Sequence, residues 1–120
     1  SSRIKNAKFL DKAFLKNKKI FLSERKKSLK EVFHLYHLRF EDKKLRDKIL
    51  KKLIEKGIDA KIHYPTSMHL QPAAKIYGYK KGDFPVAEML SSTSISLPVH
   101  EFISKKDLKF MSKTIIDSLD

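Results

Sequence analysis

Ten residues, Glu31 to Phe40, constrain the fold more than any other stretch. They alternate, with Val32, His34, Tyr36, Leu38 and Phe40 on one side and Phe33, Leu35, His37 and Arg39 on the other. One side is strongly apolar and the other half apolar. Such a strand belongs in the middle of a sheet, so the rest of the chain must supply neighbours and cover.

The cover is legible as helices. From Ser1 to Leu15, Ile4, Ala7, Leu10 and Phe14 recur at helical spacing with lysines between them. The pattern is already running at Arg3, which predicts a fragment whose upstream sequence is missing. Ile20-Phe21-Leu22 is a short apolar patch with strand character, followed by a polar loop over residues 23–28. A second helix is expected from Asp42, a suitable N-cap, to Lys56, burying Leu45, Ile49, Leu53 and Ile54. Gly57 stands where a helix ends in a left-handed residue. Ile58 to Tyr64 alternates as a second strand, stopped by Pro65. Gln71 to Tyr77 suits a turn or two of helix. Phe84 to Ser92 suits another helix, with Asp83 as cap and Pro85 in its first turn. Thr93 to Leu97 is a short strand. Ser104 and Asp107 form a capping-box pattern ahead of a last helix that buries Leu108, Met111, Ile115 and Leu119. The expected class is α+β: a small antiparallel or mixed sheet covered by helices.

Composition narrows the chemistry. The chain has 120 residues, 41% of them hydrophobic, which suits one globular domain or a piece of one. It has no cysteine, hence no disulfide framework, no thiolate metal site and no cysteine nucleophile. This fits a reducing, cytoplasmic setting. No apolar run approaches the ~18 residues of a membrane span, and the N-terminus carries no apolar signal segment. Lysine and arginine number 27 against 14 acidic residues, a net charge of +13. That balance invites nucleic acid or another polyanion. Yet only Arg3, Arg25, Arg39 and Arg46 are arginines, and base-reading interfaces favour the arginine fork. Scattered lysine on solvent faces is the plainer reading, and nucleic acid is not the expected partner.

The groups able to bond a ligand concentrate in one loop, from Ile62 to Pro72, with His63, Tyr64, Pro65 and His69. His69 sits between two prolines. Histidine as a residue type can exchange a proton or bond a ligand, so this position suits either ligand binding or a bond to the loop backbone. His34 and His37 are three apart on the expected strand, so they point apart and share no ion; His34 reads as a core or interface histidine. No carboxylate lies within the loop that carries His63 and His69, and no metal site is expected. There is no glycine-rich phosphate loop and no serine-histidine-aspartate set.

This loop and the residues after it carry a resemblance. Gly57-Ile58, His63-Tyr64-Pro65 and His69-Leu70-Gln71-Pro72 come first. Gly78-Tyr79, Gly82-Asp83-Phe84-Pro85-Val86-Ala87-Glu88, Ser96-Leu97-Pro98 and His100 come next, in order. Together they resemble the C-terminal part of the DegT/DnrJ/StrS family of nucleotide-sugar aminotransferases, over nearly the whole chain. Glu101 departs from the family's usual proline, which should affect only the loop before the last helix. The resemblance implies the small C-terminal domain of a fold-type I enzyme, with residues 1–18 leading in from a large domain and residues 19–120 forming the α+β unit. It implies a parent that uses pyridoxal phosphate to pass an amino group, usually from glutamate, to a nucleotide-linked keto sugar for cell-surface polysaccharide or amino-sugar synthesis. It implies that the large domain holds the cofactor and the Schiff-base lysine, so the 120 residues alone should be inactive and carry no catalytic residue. The parent should be a homodimer. His63, Tyr64, Pro65 and His69 would border the sugar. Two rivals remain beside it: a basic binding module, and an assembly domain whose first helix exposes its apolar face.

Overall fold

Three short strands form one antiparallel sheet. They are β1 (Ile20–Leu22), β2 (Tyr36–Phe40) and β3 (Ser94–Leu97), in the order β1-β2-β3, so β2 is central. The computed structural model describes residues 1–120. Four helices complete it: α1 (Ser2–Phe14), α2 (Lys43–Glu55), α3 (Pro85–Thr93) and α4 (Lys105–Ile116). Two 3-10 turns, Met68–Leu70 and Pro72–Tyr77, lie between α2 and α3. No helix is long and apolar enough to cross a membrane.

The pairing register sorts side chains by face. Tyr36 lies opposite Leu97, and Leu38 lies opposite Leu22 on one side and Ile95 on the other. These residues point into the core, where they meet Ala7, Leu10 and Phe14 of α1, Ile49 and Leu53 of α2, and Leu108, Met111 and Ile115 of α4. Each large side chain fully buried there contributes about 1.5–3 kcal/mol. The other face carries Phe21, His37 and Arg39, with the Arg39 guanidinium 3.9 Å from the Phe21 ring centroid. The α1 stripe is therefore not an exposed apolar face. It is buried against α4 and the sheet.

Local chemistry sets several boundaries as expected. The Asp42 carboxylate accepts from Leu45 N at 2.8 Å, a cap worth about 1 kcal/mol. Gly57 comes after α2 at φ 75, a conformation that costs other residues a Cβ clash. Ser104 and Asp107 close the capping box on α4. Glu101, the departure from the family pattern, pairs with Arg3 at 3.1 Å. Asn6, buried on α1, donates to the carbonyls of Val99 and His100 and pins the same loop.

Several expectations are corrected. The central strand starts at Tyr36, not Glu31: Phe33 has φ 55, which breaks the alternation. Phe33 turns inward, its ring stacked 6.5 Å from Tyr36, while Val32 and His34 are exposed; His34 is not a core histidine. Ile58 to Tyr64 does not form the expected strand. It touches the sheet once, at the Lys61–Ser96 bridge, because β3 is only four residues long and Pro65 lacks an amide to extend the ladder. On α2 the buried stripe includes Arg46 rather than Ile54, which is exposed. Finally, the residue capping α3 is Phe84, without a side-chain bond. The Asp83 carboxylate turns back to accept from Lys80 N.

Candidate functional site

After α2 the chain crosses the edge of β3 at the Lys61–Ser96 bridge, with bonds of 3.0 and 2.7 Å. It then leaves the sheet as the stretch 62–72. Ile62 stays packed on the core and anchors its start. Ser67 is buried and its hydroxyl lies 3.0 Å from that of Ser91 on α3. The Gln71 amide donates to the Thr66 carbonyl at 3.1 Å. The loop is thus fixed at its root, at its middle and across its own width.

The structure places the two loop histidines in different clefts. His63 lines a cleft of about 300 Å³ together with Arg3, His34, Lys61, Ser96 and His100. Its cations are balanced: Arg3 pairs with Glu101 and Lys61 with Asp59 at 2.9 Å. Nδ1 of His63 is buried without a partner. On the adjacent strand His37 Nδ1 lies 3.4 Å from the Ser96 hydroxyl. Burial, and then the neighbouring His63, hold the His37 imidazole below its ordinary range. Tyr64 is exposed and meets the His63 ring edge-on at 5.7 Å. Pro65 is exposed at the loop's outer edge.

His69 belongs to the second cleft, about 400 Å³ and mostly apolar, with Met68, Ala74, Tyr77, Tyr79 and Phe84. Its ring stands edge-on to Phe84 at 4.9 Å, and Phe84 edge-on to Tyr79 at 5.0 Å. Nε2 of His69 lies 2.9 Å from Oε1 of Glu88, with side chains only 7% and 17% exposed. The same oxygen accepts from Gly82 N at 2.7 Å. The Gly82 amide first, and the His69 bond after it, hold the Glu88 carboxyl below the ordinary carboxylate range. A carboxyl depressed in the folded state stabilises it above the unfolded value. The latch is therefore intact near neutrality and is lost as the pH falls through the folded value.

Glu88 is the residue that sequence reasoning missed. It stands 19 positions from His69, so proximity along the chain gave no sign of it. The signals were its place in the motif that begins at Gly82 and its position in the first turn of a helix led by Pro85, where carboxylates meet free amide donors.

Known proteins are similar to this chain in both sequence and fold. Over 74 residues the chain is 40% identical to the erythromycin biosynthesis sensory transduction protein EryC1 of Saccharopolyspora erythraea, covering 62% of this chain and 19% of that protein. It is 37% identical over 68 residues to a dTDP-3-amino-3,4,6-trideoxy-alpha-D-glucose transaminase of Streptomyces venezuelae, covering 57% of this chain and 17% of that one. Among solved structures, S. venezuelae DesV in complex with a ketimine intermediate superposes on 99% of this chain and 31% of its own, with a TM-score of 0.91. At 24% identity this last match speaks for the fold alone. The chain spans about a fifth of the length of the curated relatives it matches. The model of one family covers residues 1–116. This chain belongs to the DegT/DnrJ/EryC1/StrS aminotransferase family.

Proposed function

We propose that these residues are the C-terminal small domain of an aminotransferase that uses pyridoxal phosphate to move an amino group from glutamate to a nucleotide-linked keto sugar. The observation that carries this reading is the family match over residues 1–116, which includes both clefts and the loop between them. A relative named as a transaminase of a dTDP-linked amino sugar supports the substrate class. Residues 1–18 lead in from the large domain, and residues 19–120 form the small one. The parent works in the cytoplasm as a homodimer, making amino sugars for cell-surface polysaccharide or related products.

The residues in hand do not form a seat for the cofactor. A Schiff-base amine needs a sheltered pocket, yet every lysine except Lys19 is exposed, and Lys19 Nζ donates to the Leu119 carbonyl. A phosphate cradle needs close backbone, yet a Cβ built on Gly57, Gly78 or Gly82 would meet nothing within 4 Å. The cofactor belongs to the rest of the parent, and this domain acts on the sugar.

Its part is to hold and orient. The stretch from His63 to His69 forms a rim between two clefts, held to β3 just before it at Lys61 and to α3 at Ser67. His63 and Tyr64 shape one side of the sugar site, Pro65 stiffens the turn, and His69 bonds the sugar from the other side. In the complete enzyme, His69→Ala should slow the sugar half-reaction about 10- to 100-fold, the loss of one substrate hydrogen bond. The glutamate half-reaction should be unaffected. Single-turnover measurements of each half separate the two, and equal loss in both contradicts a sugar-side role.

A further inference from the structure

An ionised carboxylate accepts hydrogen bonds and cannot donate. One oxygen of Glu88 takes two donors, Gly82 N and Nε2 of His69. When neutral, the His69 ring must therefore carry its proton on Nε2 and its lone pair on Nδ1. Nδ1 has no partner within the chain and, unlike Nδ1 of His63, is not sealed in. It is the polar atom that this imidazole still offers.

The surroundings give that atom a context. His69 lines the cleft whose other walls are Met68, Tyr77, Tyr79 and Phe84. The Gly82 bond fixes the loop that carries Tyr79 and Phe84, so a single carboxylate oxygen sets the aromatic wall and the imidazole together. A ligand matched to this arrangement places an apolar C–H face on the rings and a hydroxyl on Nδ1. That is the chemistry of a partly deoxygenated sugar ring.

We propose that Glu88 is a positioning residue for sugar binding: it holds His69 Nε2 and Gly82 N on one oxygen, and so presents Nδ1 of His69 as an acceptor for a sugar hydroxyl at the aromatic cleft. The inference rests on the sugar-side reading above and adds to it the residue that orients His69 and the polarity of its bond.

Two measurements test it. The first is a double-mutant cycle in the complete enzyme. Its probe is the dTDP-linked keto sugar that corresponds to the amino sugar named for the S. venezuelae relative. Glu88→Gln alone should raise KM for the sugar about tenfold, with a smaller change in kcat. In a His69→Ala background the same substitution should change KM by less than about twofold, because Glu88 acts through a ring no longer there. Effects that multiply independently overturn the proposal and leave Glu88 a loop anchor through Gly82.

The second measurement needs no turnover. Imidazole nitrogen NMR of the 120-residue chain, at a pH where the ring is neutral, should show His69 protonated at Nε2 and bare at Nδ1. A neutral ring with its proton on Nδ1 overturns the proposal directly. If the complete enzyme fails to transaminate any keto sugar, the functional reading fails, while the nitrogen spectra still decide whether Glu88 fixes the ring.

Discussion

Arg46→Ala should lower the stability of the fold by about 3 kcal/mol, more than any single hydrogen bond here would suggest. Arg46 is 3% exposed on α2. Its Nη1 donates to the carbonyls of Ser91 and Ser94, both at 3.1 Å, and its Nε reaches Asp47 at 2.7 Å. Ser91 is in the last turn of α3 and Ser94 opens β3. The guanidinium therefore closes the corner where a helix ends and the sheet begins. Without it, carbonyls at that corner lose their partners away from water, each costing about 1–3 kcal/mol. The Asp47 carboxyl, held low first by Lys43 and then by Arg46, keeps Lys43. For a domain of this size a loss of 3 kcal/mol corresponds to a fall of about 12 °C in Tm. Arg46→Met separates packing from bonding, since it fills the same channel. It should recover less than half of the loss. Full recovery by Met in urea unfolding would show that volume, not the carbonyl bonds, holds the corner.

Alkaline pH should unfold the chain through Tyr36. Its side chain is fully buried and its hydroxyl donates to Asp11 at 2.8 Å. Burial first, then the bond to Asp11 and its charge, push the phenol well above its ordinary value; Arg25 opposes this only in part. Linkage sets the sign. A group raised in the folded state adds stability that is complete below its unfolded value and is lost as the pH rises above it. Above about pH 10 the unfolded chain can release this proton and the folded chain cannot, so stability falls by about 1.4 kcal/mol per pH unit. Tyr36 should therefore ionise only together with unfolding. Tyr36→Phe should remove that alkaline dependence and cost about 1 kcal/mol near neutrality for the lost bond. Phenolate absorbance measured alongside circular dichroism tests both. Ionisation of Tyr36 in a chain that keeps its folded signal would contradict the account.

The parts legible in the sequence are those decided over a few residues. Asp42 caps the amide of Leu45 three positions on, Gly57 ends the helix before it, and Ser104 closes a box with Asp107. Each is a local contest that neighbours settle. The helices and the central place of β2 are readable from periodicity for the same reason, whereas the strand expected over 58–64 shrinks to a single bridge. The illegible parts depend on partners far along the chain. Arg46 looks like one more surface lysine-type position until Ser91 and Ser94 arrive beside it. Asn6 interrupts an apolar stripe until it meets Val99 and His100. Phe33 continued the alternation on paper, but its left-handed backbone lets it stack on Tyr36 beneath Arg25. In the candidate site the loop itself was evident from its histidines and prolines. The clefts on either side of it were not, because Ser96, Phe84 and Glu88 come from later in the chain.

The most direct test of the functional reading uses the complete enzyme purified with pyridoxal phosphate. The visible absorbance of the bound cofactor is recorded, and glutamate is then added. The account predicts a bound-cofactor band that is lost on adding glutamate, as the cofactor takes up the amino group, and that returns once a nucleotide-linked keto sugar is supplied. No bound-cofactor band, or a band indifferent to glutamate, would contradict an aminotransferase parent and leave this chain with a family fold serving some other task.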